Sequence, residues 1–136
     1  MKVTLCDTGP IIAYLNRNDP FHRWATEQMR LFRPPLLTCE AVMTEAAYVL
    51  REDGLDPSAL FAMLERGALR IDFALASSWP RLRVLMARYK QMDLADACMV
   101  AMTERWPSCQ VLTLDRRDFS VYRRNDRQLI DFVAPP

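Results

Sequence analysis

Asp7, Glu45, Asp96 and Asp115 each lie beside an apolar stretch with the composition of a core strand or helix, where carboxylates are seldom placed. Oxygen ligands of this kind suit a hard divalent cation such as Mg2+. Such an ion keeps part of its water and is commonly held by one or two carboxylates, so four acids drawn together could hold one or two ions. Without a cation the cluster would repel itself and raise its own pKa values. The chemistry such ions enable is attack of an activated water on a phosphodiester, with a second ion, if present, stabilising the leaving oxygen.

Other carboxylate and cofactor chemistries fail against the residues. An aspartyl phosphatase of the haloacid dehalogenase type wants a second Asp two positions after the first, and position 9 is Gly. A phosphoacceptor receiver wants an acidic pair before its first strand ends and a late lysine, but Leu5 and Cys6 precede Asp7 and no lysine follows Lys90. No G-x-G-x-x-G or G-x-x-x-x-G-K-[ST] is present, so nucleotide cofactors have no motif to rest on. His22 is the only histidine, which disfavours zinc hydrolases and His-based nucleophile relays, and it reads as a helix-surface residue.

The elements that must position the acids alternate between strands and helices. Val3–Cys6 is a β-prone run ending at Asp7, and Thr8–Gly9–Pro10 then supplies turn chemistry, with Pro10 acceptable as a first helical residue. Ile11, Ile12 and Leu15 share a helical face, and a second helix with Trp24, Met29 and Phe32 runs until Pro34–Pro35. Residues 36–39 read as the next strand, followed by a helix carrying Glu45 that stops at Gly54. Asp56–Pro57 opens another helix, residues 69–73 form a short strand, and a helix runs from about Ser77 or Ser78 to Tyr89. Residues 94–105 are helical, 111–114 form a strand ending at Asp115, and 129–133 form a last edge strand. This alternation predicts an α/β fold with a parallel sheet covered on both faces. In such a sheet ligands bind outside the carboxyl ends of the strands, so Asp7 and Asp115 should share a crevice.

Asp93–Leu94–Ala95–Asp96 has the shape of a capping box with Asp in the place of Glu or Gln, which makes Asp93 the natural helix cap. Asp96, in the first turn, also faces the positive end of the helix dipole. Thr8 and Thr113 stand where they could orient the carboxylates or a water. Phe21, Trp24, Phe32 and Trp79 fall within amphipathic helical patterns and read as packing or subunit-contact residues rather than base-stacking platforms.

With 136 residues, of which 51% are hydrophobic, the chain is sized for one domain spanning its whole length. No apolar run is long enough for a bilayer, and neither a signal peptide nor an anchor is expected. Cys6, Cys39, Cys98 and Cys109 are scattered without C-x-x-C pairs and read as reduced, buried thiols, as in a cytoplasmic protein. The net charge of +1 hides an asymmetry, because setting the four acids aside leaves 18 basic residues against 13 acidic. Sixteen of the 18 are arginines, whose planar fork suits phosphate oxygens and partner carboxylates.

Four segments in order, Asp7–Thr8–Gly9–Pro10–Ile11–Ile12–Ala13, Thr44–Glu45, Leu94–Ala95–Asp96–Ala97 and Thr113–Leu114–Asp115–Arg116–Arg117–Asp118–Phe119, resemble the PIN-domain ribonucleases, and among these the VapC-type toxins. The resemblance covers essentially the whole chain. It implies a three-layer α/β/α sandwich with a short parallel sheet, Mg2+ or Mn2+ dependence and RNA cleavage. It also implies a homodimer and a cognate antitoxin whose C-terminal segment enters the acidic groove, as in a type II toxin–antitoxin pair. By position, Asp7, Glu45, Asp96 and Asp115 take the four acidic places, with Asp7 and Asp96 as direct metal ligands. Thr8, Asp93, Thr113 and Asp118 stand behind them as supporting residues.

Arg116, Arg117, Arg123, Arg124 and Arg127 follow Asp115 closely and offer an electropositive path for an RNA backbone, with Arg116 and Arg117 nearest. A solvated basic face is the plainer alternative. Two other functions stay open at this point: a non-catalytic module that binds RNA or protein, and a metal nuclease acting on DNA.

Overall fold

The computed structural model describes residues 2–136. In chain order the elements are β1 (Val3–Cys6), α1 (Thr8–Leu15), α2 (His22–Leu31), β2 (Leu36–Thr38), α3 (Glu40–Glu52), α4 (Ser58–Glu65), β3 (Leu69–Ile71), α5 (Leu75–Arg88), α6 (Leu94–Thr103), β4 (Cys109–Leu112), α7 (Arg116–Val121), β5 (Arg123–Arg124), β6 (Gln128–Leu129) and β7 (Phe132–Val133). Helices flank a parallel sheet of order β3-β2-β1-β4-β7, the three-layer α/β/α arrangement expected from the alternation. β1 sits at its centre, with Leu5 opposite both Leu37 and Val111, and Leu5, Cys6, Val111 and Leu112 are wholly buried. Strands buried on both faces must be near-continuously apolar, as β1, β2 and β4 are.

Strand order fixes where a site can form. From β1 the chain moves outward through β2 to β3, then returns to lay β4 on the other side of β1 and continues outward to β7. Order therefore reverses between β1 and β4, and the crevice beyond their carboxyl ends is the place such sheets leave open for ligands.

α6 runs behind this crevice. Ala95 and every residue from Ala97 to Thr103 are buried, so the helix is apolar nearly all round and packs against α3, α5, β1 and β4. Its far end is held by Arg81 of α5, which forks onto Glu104 at 2.9 and 2.7 Å and reaches Asp126 at 2.9 Å. Asp126 lies in the turn between β5 and β6, where Asn125 and Asp126 take φ of 50° and 64°, the left-handed pair of a tight hairpin.

Several expected boundaries move, each for a local reason. α1 begins at Thr8 because Asp7 caps it directly, so Thr8 and Gly9 are helical rather than a turn. α5 begins at Leu75 with Pro80 inside it, since the missing N–H deprives only the solvent-exposed segment near Ala76 of a partner. The last edge strand divides: Leu129 turns back to pair with Arg123, and only Phe132–Val133 joins the sheet beside β4. His22 is half-buried and donates through Nδ1 to the Ala13 carbonyl at 2.8 Å, tying α2 to α1 instead of resting on the surface. Trp24 and Phe32 pack on the core as expected, whereas Phe21 and Trp79 are exposed. All four cysteines are free and buried. Among the described residues no helix is long and apolar enough to cross a membrane.

Gly9 shows how tightly the crevice is built. A Cβ at this position would lie 2.7 Å from Leu114 Cγ and 3.1 Å from Leu114 Cβ, next to Asp115. Gly9→Ala is therefore expected to displace the Leu114 segment and destabilise the protein by about 1–3 kcal/mol in urea unfolding. An unchanged midpoint would show that Leu114 yields freely.

Candidate active site

Asp7 follows β1 and caps α1, its Oδ1 accepting the Thr8 backbone N–H at 2.8 Å. Asp115 follows β4 by three positions and caps α7, accepting from the Asp118 N–H at 2.9 Å. Thr113 joins the two: its hydroxyl donates to Asp7 Oδ2 at 2.8 Å and accepts the Asp115 N–H at 3.0 Å. That double role explains a threonine at a strand end more specifically than β propensity does.

Asp96 stands in the first turn of α6, on a helix otherwise held in the core. Asp93 caps that helix by accepting the Asp96 N–H at 2.8 Å, which is the forward half of the expected capping box. The Asp96 carboxylate does not reach back to Asp93; its Oδ2 accepts instead from the Tyr122 hydroxyl at 2.6 Å. Glu45 lies on the exposed face of α3.

These side chains line one cleft of about 390 Å³, formed by Asp7, Thr8, Gly9, Glu45, Gln91, Asp93, Asp96, Leu114, Asp115 and Asp118. All four principal acids meet there, as do three of their four supporting residues, while Thr113 lies buried behind. Among the described residues the cleft thus carries six carboxylates and no basic lining residue. A wider hollow of about 540 Å³ beside the hairpin has one carboxylate, Glu104, already committed to Arg81.

The electrostatic consequence is direct. Burial pushes the Asp7 carboxyl up to about 6, with Glu45 and Asp93 adding repulsion against the relief from Thr113 and Thr8. Burial likewise pushes Asp96 up to about 7, with Asp93, Asp7 and Asp115 reinforcing it and Tyr122 opposing it. Asp118 is raised by burial and then by Asp115. Helix N-termini at Asp7, Asp96 and Asp115 offset part of this repulsion.

The donor set fits a hard cation. Hydrogen bonds to Asp7 and Asp96 use one lone pair per oxygen, and each carboxylate oxygen has two. Among the described residues no three potential ligand side chains group closely enough to enclose an ion. The lining donors are carboxylate oxygens, the ligand type taken by Mg2+, which keeps several waters and is held by one or two carboxylates.

The arginines divide. Arg116 donates to the carbonyls of Ala134 and Pro135 and lies over the Phe132 ring, holding the C-terminal segment. Arg123 donates to the carbonyls of Ser120, Val121 and Tyr122, and Arg124 to those of Thr103, Trp106 and Pro107. Helix ends leave carbonyls without partners, and these two guanidinium groups satisfy them. Arg117 and Arg127 are exposed and make no ion pair among the described residues. Of the five arginines read as an electropositive path, three thus hold backbone carbonyls and two, Arg117 and Arg127, stand exposed.

Sequence reasoning passed over Gln91, which lines the cleft, and Tyr122, which touches Asp96. Gln91 sits two residues before Asp93 in an unpatterned loop. An aromatic ending a short helix reads as core, and nothing in the sequence shows where its hydroxyl lies.

A parallel sheet whose switch point opens onto clustered carboxylates defines the class of site this chain carries, an acidic cleft at the strand ends of a three-layer α/β fold. The PIN domain profile matches residues 4–125, and the chain belongs to this family. It is similar to Ribonuclease VapC26 of Mycobacterium tuberculosis (strain ATCC 25618 / H37Rv), with 28% identity over 123 residues, covering 88% of this chain and 91% of that protein. Its fold is similar to the crystal structure of Mycobacterium tuberculosis VapC20, described as a Sarcin-Ricin loop cleaving toxin, with a TM-score of 0.68 and 19% identity over 79% of this chain and 86% of that one. The family read from the four acidic segments is the family found.

With folded-state pKa values raised at Asp7 and Asp96, the metal-free protein holds extra protons when folded. The associated stability is present below pH 4 and lost as the pH rises through 6 to 7. With chelator at pH 7.5, Asp96→Asn is expected to melt about 2–5 °C above wild type, a gap closing towards pH 5. Melting below wild type at pH 7.5 would contradict the repulsion.

Proposed function

We propose that the chain is a Mg2+- or Mn2+-dependent endoribonuclease hydrolysing RNA phosphodiesters, with Asp7 and Asp96 as metal ligands and Glu45 and Asp115 completing the catalytic acids. The observation that carries this reading is the cleft itself: among the described residues, six carboxylates at the switch point and no basic lining residue. RNA as substrate is supported by membership of the PIN family and by the likeness to a protein named a ribonuclease.

When bound, the cation lowers the pKa of water and stabilises charge on the phosphoryl oxygens. The chain's own groups do the rest. Thr8 and Thr113 fix both oxygens of Asp7, so its remaining lone pairs face a set direction. Asp93 fixes the backbone of Asp96, and Asp118 is drawn to Asp115 through its N–H. Glu45, exposed on α3, lines the same cleft and completes its set of acids. A phosphate is repelled by the same acids that serve it, so its approach needs positive charge from outside the cleft, which Arg117 contributes directly and Arg116 through its field.

The same reading makes the chain the toxin of a type II toxin–antitoxin pair, a single catalytic domain acting in the cytoplasm as a homodimer until an antitoxin covers it. The likeness to VapC26 supports this, and the exposed Tyr48, Phe61, Trp79 and Val84 provide apolar surface for such partners.

Purified protein should cut a mixed RNA with Mn2+, lose activity in EDTA, and lose it again in Asp96→Asn. Arg117→Ala should raise KM several-fold and flatten the salt dependence. Cutting that survives EDTA and Asp96→Asn would refute the site; metal-dependent cutting of DNA alone would change the substrate; RNA binding without cutting would favour a binding module. Unchanged KM in Arg117→Ala would remove that residue from the RNA path.

A further inference from the structure

Tyr122 is the C-cap of α7 and is wholly buried, yet its hydroxyl bonds a cleft carboxylate rather than a structural group. Its ring is clamped edge-on by two aromatics, Phe119 with centroids 5.4 Å apart and Tyr89 at 5.1 Å. Tyr89 is itself fixed, since its hydroxyl accepts the Arg123 N–H at 3.1 Å. The backbone N–H of Tyr122 donates to the Asp118 carbonyl at 3.0 Å, so the residue belongs to the same short helix that Asp115 caps. Beyond it, Arg123 covers the carbonyls of Ser120 and Val121 at the end of that helix, and Arg124 covers that of Thr103, the last residue of α6.

Asp96 is held at fewer points than Asp7. Asp7 has both oxygens bonded, and Asp115 is turned by capping. Among the described residues the Asp96 carboxylate accepts a single hydrogen bond, from the Tyr122 hydroxyl to Oδ2. A carboxylate with two oxygens and a broad χ2 well can rotate unless something holds one of them.

We infer that Tyr122 is a positioning residue: its buried hydroxyl holds Oδ2 of Asp96 so that Oδ1 is presented to the divalent cation in the cleft. This rests on the metal-nuclease reading above. The contact also makes one rigid run of Asp96, Tyr122, α7, Asp115, Thr113 and Asp7, so that the acid from α6 is registered against the acids from β1 and β4. Groups that orient a metal ligand from behind typically change metal affinity or activity 10- to 100-fold when lost.

Tyr122→Phe keeps the ring and removes the oxygen. Mn2+ binding by calorimetry on chelator-treated protein should weaken about tenfold, kcat on RNA should fall about tenfold with KM unchanged, and the metal-free melting temperature should move by only a few degrees. Tyr89→Phe alters the same aromatic cluster without touching a carboxylate and should leave Mn2+ affinity as in wild type. In an Asp96→Asn background, Tyr122→Phe should have no further effect on Mn2+ affinity. A second readout needs no change at Tyr122: its hydroxyl proton should appear in the Mg2+-loaded wild type as a slowly exchanging downfield NMR signal that Asp96→Asn alters. Mn2+ affinity and kcat within twofold of wild type in Tyr122→Phe, equal losses in Tyr89→Phe, or a hydroxyl signal indifferent to Asp96→Asn would each overturn the inference. Wild-type protein that binds no Mn2+ would overturn the metal reading on which it stands.

Discussion

Six carboxylates share one cleft because the sheet reverses its strand order between β1 and β4, and the repulsion among them governs what surrounds it. A surface cluster of this size would be screened by water and salt, but Asp7 is 8% exposed and Asp96 is partly buried. Helix N-termini, Thr113, Thr8 and Tyr122 relieve part of the strain with oriented N–H and O–H groups. What they leave unrelieved is the attraction for a divalent cation.

Rigidity comes from the parts of the molecule that have no chemistry. α6 is buried along nearly its whole length, so Asp96 is carried on a helix with little freedom to move. At the other end of that helix the Arg81 fork onto Glu104 and Asp126 fastens α5, α6 and the hairpin together. Gly9 lets α1 approach Leu114 so closely that the Asp7 and Asp115 segments behave as one wall. Placement of the acids is therefore set by core packing, where a displacement of a methyl group is felt.

Much of this was legible in the chain. Asp7 and Asp115 follow apolar runs too short for helices, and the strand-end rule brings them together; Glu45 and Asp96 sit on helices whose small neighbours permit close approach. The sheet could be read from the alternation of elements. Less legible were the features that depend on three-dimensional closure. The run around Leu129 to Val133 carries the composition of one strand, yet left-handed backbone at Asn125 and Asp126 folds its first part back as a hairpin. Arg116, Arg123 and Arg124 look like a phosphate-binding series, but backbone carbonyls claim their guanidinium groups. Tyr122 looked like core, and it is core as far as its oxygen, which only the packing of α7 against α6 delivers to Asp96.

The central claim is that this cleft exists to hold a divalent cation between Asp7 and Asp96. An anomalous difference map from crystals soaked in Mn2+ tests it without reference to any substrate. The account predicts a peak within coordinating distance of carboxylate oxygens of both residues, completed by water, that disappears in Asp96→Asn crystals. A cleft without a peak at millimolar Mn2+, or a peak that ignores Asp7 and Asp96 in favour of another part of the molecule, would contradict it.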